Sequence, residues 1–394
     1  MNIRSLTSCM PIYKGDTTYS LDSRIYEFSK NILKLKAKLP NCRTIRLVIK
    51  YLDKFSTSDL DELKAILNYI CKKCPKHGIR WVHYELNCQN DYFDYDITEL
   101  TTALIRDNEN LFIHLNIGVH PIEKKLQEAA LAIIKVSRLS SNGFANFRLG
   151  VSNGMAKETP FFPYSSFSKI NSYSIGVESI DYVINSFEKQ ISKLNKIDMN
   201  KISEGLAKEL KHIDEARKSI ETSLSFMGFD ISLAPIPRSK SSLGYLLDMM
   251  GTKPLGAHGT ISNISSLTLM IKNSLKLASV KSVGFNGVML SPLEDDILSS
   301  QSRNQAFSID SLLLFSTVCG CGLDMVPVPG DILDMTIINL IKDLITLSNR
   351  LAKPLGLRIL PIPGKMNGEN TSFNHDFLDD MRIMMTSTSI SKNY

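Results

Sequence analysis

The sequence predicts an α/β fold in which helices cover a parallel or mixed sheet. Short runs rich in β-branched residues alternate with longer segments of helical periodicity along most of the chain. The 394 residues are 43% hydrophobic and 22% charged, which is typical of a globular protein. No linker rich in Pro, Gly or Ser separates two halves. We therefore predict one domain over residues 1–394, with a partly irregular N-terminal extension (1–40) and a partly irregular tail (371–394).

The alternation of strands and helices begins near residue 44. The run TIRLVIK (44–50) predicts a strand. Residues 58–74 predict a helix, with Ser58 as N-cap and acidic residues in the first turn, where the helix dipole favours them. The other predicted strands of this half are 78–86, 111–118 and 147–152, and the other predicted helices are 96–107, 121–137, 179–194 and 202–227.

The second half continues the same alternation. Its predicted strands are 229–233, 283–290 and 357–360, and its predicted helices are 243–250, 262–277, 308–317 and 337–351. Three stretches combine an apolar run with Pro-x-Pro: DISLAPIPR (230–238), LDMVPVPGD (323–331) and RILPIPGK (358–365). Proline lacks an amide donor, so each stretch predicts a strand end. Because sites in α/β folds gather at strand ends, we expect these three to line one rim.

The charge balance and the cysteines exclude several classes of protein. The chain has 46 basic and 40 acidic residues, a mild excess of +6. The densest basic stretch (30–46) is typical of a solvated helix face, and no nucleic-acid motif accompanies it. The sequence contains no run of about 18 apolar residues, so it predicts no membrane span. It shows no apolar leader segment, so it does not predict secretion. Seven cysteines without regular spacing predict reduced thiols and a cytoplasmic protein.

One candidate site is the segment GAHGT (256–260). Gly256 and Gly259 flank His258, so the backbone there can approach a ligand closely. Thr260 is placed to cap the following helix, whose N-terminus favours anions. A histidine in this position can serve as acid, base or ligand. The alternative is a tight turn with an exposed histidine.

A second candidate is the loop CGCGLD (319–324). A thiol in a glycine-rich loop can be held against a substrate if its thiolate is stabilised, which makes Cys319 a candidate nucleophile. Asp324 is a candidate orienting carboxylate. The alternative is that Cys319 and Cys321 are small fillers of a buried loop.

Metal binding has weaker support in the sequence. Cys71, Cys74 and His77 form half of a zinc-site pattern, but no second CxxC pair follows, and thiols at a helix end are the alternative. The acidic run 294–296 could hold a cation together with His258, although acids in a helix first turn are the commoner explanation. We therefore predict no metal and no cofactor. The phosphate-loop, dinucleotide, zinc-protease and serine-hydrolase motifs are absent.

Four segments together resemble a known family. They are DISLAPIP (230–237), GAHGT (256–260), TVCGCGLDMVPVPGD (317–331) and RILPIPGK (358–365), in this order and spacing. They resemble an uncharacterised family, domain of unknown function 711, often labelled "PFL family protein". Weaker likeness extends over most of residues 40 to 370.

The resemblance implies the ten-stranded α/β barrel of pyruvate formate-lyase, with two half-sheets, outer helices and a loop that enters the centre. In that class the central loop carries a reactive cysteine, which corresponds to Cys319. The family commonly has one cysteine in this loop, whereas here Cys321 adds a second. No glycyl-radical segment occurs in residues 355–394, so the resemblance implies a fold without that radical mechanism.

These observations support two hypotheses. The first is a cytoplasmic, non-radical lyase, transferase or hydrolase that acts on a polar small molecule. In it, Cys319, His258 and Asp324 are catalytic, and the substrate is held by Arg238, Gly256, Gly259, Thr260 and Glu178. The second is a non-catalytic metabolite-binding or assembly protein. In both cases the expected partners are a small-molecule ligand and a second copy of the chain, without nucleic acid or membrane.

Overall fold

The structure is a computed structural model that describes residues 1–39, 41–52, 59–89, 95–237 and 240–386. Its strands are β1 (Asn2–Ile12), β2 (Thr44–Tyr51), β3 (Trp81–Asn87), β4 (Leu111–Asn116), β5 (Leu149–Ser152), β6 (Ser172–Glu178), β7 (Ser225–Asp230), β8 (Gly322–Pro329) and β9 (Gly356–Ile362). Its helices are α1 (Thr18–Lys38), α2 (Leu60–Lys73), α3 (Ile97–Asp107), α4 (Glu123–Ser137), α5 (Ile180–Leu194), α6 (Met199–Lys218), α7 (Leu243–Met249), α8 (Thr260–Ala278), α9 (Asp296–Arg303), α10 (Ile309–Phe315) and α11 (Asp334–Leu351).

The strands form one mixed sheet in the order β7-β6-β1-β2-β3-β4-β5-β9-β8. Strands β1 to β5 are parallel to one another. The pairs β6–β7 and β8–β9 are also parallel, and they join the central group through the antiparallel pairs β1–β6 and β5–β9. The prediction of a mixed α/β fold is therefore confirmed.

Over the described residues, the hydrogen-bonded ladder has nine strands and is not closed, where the resemblance implied ten in a barrel. The predicted strand 283–290 is not a regular strand: Val288 forms an isolated bridge with Leu233, and Ser282, just before the predicted start, forms one with Phe229. The physical reason is local: Asn286 has a φ of 47°, and a Cβ on Gly287 would crowd the backbone of Gly320. A regular extended ladder is interrupted by such a conformation.

The two faces of the sheet bury different side chains. In β2, Leu47 and Ile49 join the large core under the helices, whereas Val48 joins a separate cluster with Cys9, Phe112, Phe162 and Phe167. This alternation is the normal two-residue period of a strand. Phe162 and Phe167 belong to the long connection between β5 and β6. This connection therefore fills the face of the sheet that lies opposite the helices.

Glycines allow this inner connection to lie directly against the strands. A Cβ on Gly150 would meet Pro163, and one on Gly356 would overlap the ring of Tyr164. The carbonyl of Pro163 is also 2.8 Å from Nε2 of the buried His83. The chain around residues 156–167 therefore enters the inner side of the sheet, where Cys321 of the cysteine loop packs in the same cluster as Phe161 and Tyr164.

The N-terminal region differs from the expectation of a partly irregular extension. Residues 1–40 include β1 and α1, and β1 lies between β2 and β6. Its sequence carries a weak strand signal because small polar side chains, Ser5 and Thr7 among them, are buried on the inner face. A strand is recognised in a sequence by the alternation of apolar and polar residues, and buried polar residues such as these obscure that alternation.

Strands β8 and β9 end at their Pro-x-Pro pairs, as predicted, although the first proline of each pair is still part of the strand. Strand β8 ends at Pro329, and β9 ends at Ile362, between Pro361 and Pro363. Strand β8 is an edge of the ladder, and β5 pairs with β9 only near Gly356 and Leu357. A missing amide is tolerated where one side of a strand lacks a ladder partner.

Two further differences concern the ends of elements. The predicted helix 202–227 is α6, which ends at Lys218 because a turn and β7 follow. The tail from residue 370 to 386 has neither helix nor regular strand, yet Leu378, Met381 and Ile383 are buried. Within the described ranges, no helix combines the length and the apolar character needed to cross a bilayer.

Candidate anion-binding cavity

A cavity of about 220 Å³ lies on the inner face of the sheet. Its basic lining residues come from β1, from β2 and the residue before it, from the approach to β3, and from β9: Arg4, Arg43, Arg46, Arg80 and Arg358. Since β1, β2 and β3 are parallel neighbours, residues near their amino ends lie side by side. The topology therefore concentrates guanidinium groups at one end of the sheet.

Aromatic rings form much of the cavity wall. They are Trp81, Phe112, Phe147, Phe161, Phe162, Tyr164 and Phe377. The guanidinium of Arg46 lies 5.3 Å from the ring centre of Phe162, and that of Arg80 lies 4.9 Å from Trp81. Such cation–π contacts hold guanidinium groups in place without neutralising them.

The floor of the cavity is a buried ionic network. Arg358 donates from Nε to Oδ1 of Asp324 at 2.7 Å and from Nη2 to Oδ2 at 2.8 Å. The hydroxyl of Tyr164 donates to Asp324 Oδ1 at 3.1 Å, and Glu294 lies 3.7 Å from Arg358. Burial opposes the charge of Arg358, but Asp324 and Glu294 outweigh it and raise its pKa. The positive charge of Arg358 is therefore balanced by the carboxylates of Asp324 and Glu294.

Arg4 and Arg46 are not compensated in the same way. Arg46 donates to the carbonyl of Pro160 at 2.8 Å, and Arg4 donates to the carbonyl of Ala234 at 3.4 Å. Neither forms an ion pair with a carboxylate in the described part of the chain. Burial, together with Arg4 and Arg80, lowers the pKa of Arg46 to about 9, and burial lowers the pKa of Arg4.

This arrangement favours a negatively charged ligand. Guanidinium groups keep their charge at neutral pH, so Arg4 and Arg46 remain cationic although their environment disfavours that charge. A carboxylate or phosphate beside them would remove this electrostatic cost and accept bidentate hydrogen bonds. The aromatic walls suit the apolar part of such a ligand.

The two loop cysteines take different positions. Cys321 lines the cavity, whereas Cys319 is fully buried and packs into the main core. The neighbouring Cys321 side chain lowers the pKa of Cys319, and the cation of Lys353 acts in the same direction. The same pairing raises the pKa of Cys321. The Cys321 thiol, which faces the cavity, is therefore protonated. Its neighbour Cys319 is the more acidic thiol of the two.

Of the residues predicted from the sequence, Asp324 lines the cavity directly. Glu178 contributes indirectly, because its carboxylate is buried 2.9 Å from Nε of Arg43. Arg238 lies outside the described residues. The preceding residue, Pro237, lines the cavity, so the first Pro-x-Pro stretch does reach this site.

The glycine-flanked histidine turn lies elsewhere. His258 is exposed and is not part of the cavity lining. The amide of Gly256 donates to Oγ1 of Thr260 at 3.1 Å, and that hydroxyl donates to the carbonyl of Ala257 at 2.7 Å. Gly259 has a φ of 98° and precedes α8. The turn therefore satisfies its own polar groups, and the cavity does not bring His258 together with Cys319.

The candidate metal ligands are also dispersed. Among the residues that the structure describes, no group of three or more His, Cys, Asp or Glu side chains could hold a metal ion. Cys71 and Cys74 are buried thiols whose pKa values are raised by burial. Asp295 accepts from the amides of Ile297 and Leu298 and so caps α9, as the first-turn interpretation expected.

The arginines near the strand ends were not among the residues predicted from the sequence. Arg46 stands in TIRLVIK, where it is two residues from Val48 and therefore on the inner face. A charged residue within an otherwise apolar strand was the available signal. No such signal was recognisable at Arg4, because strand β1 itself was not predicted.

Comparison with known proteins finds similarity to several curated UPF0210 proteins. The chain is 26% identical over 244 residues to a UPF0210 protein of Pyrobaculum arsenaticum, which covers 59% of this chain and 53% of the relative. It is 34% identical over 190 residues to a UPF0210 protein of Thermoanaerobacter sp., covering 46% of this chain and 42% of the relative. It is 28% identical over 281 residues to a UPF0210 protein of Acetivibrio thermocellus, covering 68% and 61%.

The aligned part of the chain thus spans about half of the length of these curated relatives. A family model matches residues 41–376, which include β2 to β9 and all of the helices except α1. This match agrees with the resemblance drawn from the four sequence segments. The protein therefore belongs to the family described as Uncharacterised ACR (DUF711).

Proposed function

We propose that this protein binds a small anionic metabolite, a carboxylate or a phosphate ester, in the cavity lined by Arg4, Arg46 and Arg80. The observation that carries the proposal is that Arg4 and Arg46 line the aromatic-walled cavity without an ion pair to a carboxylate of the described residues, although the more distant Glu294 favours the charge of both. A buried or half-buried cation without a carboxylate partner is costly, and a bound anion offsets that cost.

The volume and the lining of the cavity restrict the size and the chemistry of the ligand. A cavity of about 220 Å³ is smaller than the roughly 300–1,000 Å³ typical of drug-sized ligands. The ligand is therefore metabolite-sized. One side of it should be charged, to meet Arg4 and Arg46, and another should be planar or apolar, to pack on Trp81 and Phe162.

Binding can be tested with matched pairs of small probes. Isothermal titration calorimetry should detect phenyl phosphate and benzoate, and it should detect phenol and benzyl alcohol much more weakly. The variant Arg46→Gln should lose the preference for the anions, whereas Arg350→Gln, an exposed position on α11, should keep it. Equal binding of charged and neutral probes, or an unchanged preference in Arg46→Gln, would overturn the proposal.

A second candidate function is catalysis on that ligand by a non-radical lyase, transferase or hydrolase. The observation that favours it is the position of Cys321 in the same cavity as the Tyr164 hydroxyl and Asp324. Cys319 carries the thiolate of the pair, so it is the nearby group that can take up the proton of the Cys321 thiol, a transfer that is driven by bond formation as the Cys321 sulfur attacks. The acid–base role thus falls to Cys319, and not to the exposed His258.

The two candidates differ in what Cys321→Ser does. For catalysis, this variant should keep anion affinity and lose turnover of a substrate found by incubating the protein with a metabolite extract. Cys88→Ser, another buried thiol, is the matched control and should keep both. Turnover that survives in Cys321→Ser would remove the catalytic candidate while leaving the binding proposal intact.

We also propose that the sheet is a distorted form of the ten-stranded barrel, with residues 282–290 in the tenth position. This segment is bonded to β7, where Val283 N donates to Phe229 O at 3.0 Å, and to the chain just after β7, where Leu233 N donates to Gly287 O at 2.9 Å. On its other side, Gly320 N donates to Val288 O at 2.5 Å, just before β8. With this segment included, two groups of five parallel strands result. A crystal structure in which residues 282–290 lie away from β8 would contradict this arrangement.

A cytoplasmic location is likewise a proposal, supported by the seven cysteines. All of them are free thiols, and Cys319 and Cys321 are close enough to interact without being bonded. Disulfides persist in oxidising compartments and are rare in the cytosol. Fractionation of cells in which the protein is tagged would test the location.

A further inference from the structure

One of the two neighbouring thiols of the cysteine loop faces the cavity. Cys319 and Cys321 are separated by Gly320 alone, and both thiols are free and buried. Residues two apart in sequence have Cα atoms no more than about 7 Å from each other, and a disulfide needs a Cα separation of about 4.4–6.8 Å. The two side chains also interact with each other. A bond between the two sulfurs is therefore within reach of this loop.

A cation lies beside the pair. Lys353, which follows α11, donates from Nζ to the carbonyl of Ser316 at 2.8 Å, and this bond holds its ammonium group near the start of the cysteine loop. Within the described ranges, Lys353 forms no ion pair with a carboxylate. The Cys321 side chain and the Lys353 cation lower the pKa of Cys319 to about 6. The pair therefore holds one thiolate, the reactive form of cysteine, and one thiol at neutral pH.

Small molecules can reach the pair through the cavity. Cys321 lines it together with Arg43, whose side chain is 45% exposed at the opening. The cavity of about 220 Å³ has room for several water-sized molecules beside the Cys321 sulfur. Cys319 instead packs into the main core. A small oxidant therefore meets Cys321 first, and Cys319 is the thiol behind it.

A second pair of thiols in the same chain lacks these features. Cys71 and Cys74 (the α2 pair) are three residues apart at the end of α2, and both are buried. Neither lines the cavity. Burial raises the pKa of both thiols, and the charge of Arg148 offsets this effect only in part at Cys71. The α2 pair is therefore a pair of protonated thiols without access, which makes it an internal reference for reactivity.

We propose that Cys319 and Cys321 form a reversible oxidation site, at which hydrogen peroxide that enters the cavity converts the two thiols into a disulfide. The Cys321 sulfur attacks one peroxide oxygen as its proton passes to Cys319, the O–O bond breaks, and hydroxide leaves. The hydroxide takes the proton from Cys319 to give water, and Cys321 is left as a sulfenic acid.

The second step closes the disulfide. The Cys319 thiolate attacks the Cys321 sulfur, so that the S–S bond forms and the S–O bond breaks. The hydroxide that leaves takes up a proton from solvent. In total the pair of thiols loses two electrons and the peroxide is reduced to two molecules of water. The site goes beyond the proposed function and does not require it, since only the thiols, the cation and the access route take part.

Thiol labelling after peroxide treatment tests the proposal. The full-length chain is reduced, freed of reductant and exposed to a small excess of hydrogen peroxide, and the remaining thiols are labelled with N-ethylmaleimide after denaturation. Both loop cysteines lie on one tryptic peptide, residues 304–342. In mass spectra this peptide should lose both labels and two hydrogens, and treatment with dithiothreitol should restore the labels. The α2 pair should stay labelled over the same time.

Variants assign the roles within the pair. Cys321→Ala should leave Cys319 labelled, because the oxidant then meets no thiol in the cavity. Lys353→Gln should slow disulfide formation several-fold, because the Cys319 thiolate loses its cation. Cys88→Ser, at another buried thiol of the main core, is the matched control and should react at the native rate. Circular dichroism would verify that each variant is folded.

The labelling of the native chain alone decides the matter. A loop peptide that keeps both labels after peroxide treatment would overturn the proposal. Oxidation of the α2 pair at the same rate as the loop would also overturn it, because reactivity would then not depend on the cavity and the cation.

Discussion

Asp324 and Arg358 stand opposite each other on the parallel strands β8 and β9 and are joined by two hydrogen bonds of 2.7 and 2.8 Å. Both side chains are about 5% exposed. The pair forms the floor of the cavity, and its two charges balance each other. The net positive charge of the cavity wall therefore comes from the other arginines. It also fixes Tyr164, whose hydroxyl donates to the same carboxylate.

Breaking this pair should destabilise the protein more than replacing it. Arg358→Met alone leaves Asp324 as a buried charge without its partner, which costs about 3–5 kcal/mol of unfolding free energy. Asp324→Leu should cost somewhat less, because Glu294 still lies 3.7 Å from Arg358. The double variant should cost much less than the sum of the two. Urea denaturation of the four proteins gives the coupling energy as a double-mutant cycle. Additive losses would show that the two residues do not act as a pair.

Arg46 should contribute strongly to anion affinity. Hydrogen bonds to charged groups are worth about 1.5–3 kcal/mol, so Arg46→Gln should weaken the binding of phenyl phosphate by roughly 10- to 150-fold. Arg46→Lys should lose less than Arg46→Gln, because the charge remains but the planar fork is gone. Calorimetric titrations of the three proteins measure this order. The same affinity in all of them would exclude Arg46 from the site.

The buried histidines should make the protein sensitive to mild acid. Burial lowers the pKa of His83 to about 3, with His114 acting in the same direction, and burial lowers the pKa of His114 to about 3. The unfolded chain therefore binds protons that the folded chain does not as pH falls below 6.5. The stabilisation is complete above pH 6.5 and is lost toward pH 3, at up to about 1.4 kcal/mol per pH unit for each histidine.

This slope can be assigned by substitution. His114→Gln should remove about half of the histidine contribution to the pH dependence of the unfolding free energy between pH 6.5 and 5. His212→Gln, on the exposed side of α6, should leave the slope unchanged. Urea titrations at several pH values provide the measurement. An identical slope in His114→Gln and the native protein would show that the buried ring is protonated in the folded state.

Gly356 should tolerate no side chain. A Cβ there would overlap the ring of Tyr164, so Gly356→Ala should cost about 1–3 kcal/mol of unfolding free energy through overpacking. It should also weaken anion binding, because Tyr164 lines the cavity. Gly364→Asn is the control, since that glycine has open space and a φ of 72°, which asparagine tolerates. Equal melting temperatures in the two variants would contradict this packing.

Most helices and strands could be predicted because their signals are local. In α2, the buried residues Leu63, Ile66, Leu67 and Ile70 repeat at the helical spacing that predicted the helix. The strand predicted at 44–50 is β2 with one more residue. Such patterns depend on neighbouring residues in the chain, so no knowledge of the tertiary structure is needed.

The candidate site could be predicted only in part. Asp324 was identified because it follows a glycine-rich loop, and it lies in the cavity. His258 was selected for the same kind of local signal, yet its turn is exposed and satisfies its own hydrogen bonds. Flanking glycines indicate backbone freedom, but they do not indicate which side of the molecule a turn faces.

By itself the sequence determined the α/β class, the family and the order of most elements, because periodicity and segment likeness are properties of the chain. Only the tertiary structure decided that Arg4 and Arg46 meet over the inner connection near Pro160, and that Cys321 and not Cys319 faces the cavity. The physical reason is that strand pairing brings together residues that are far apart in sequence, and the two-residue period of a strand decides which face each side chain takes.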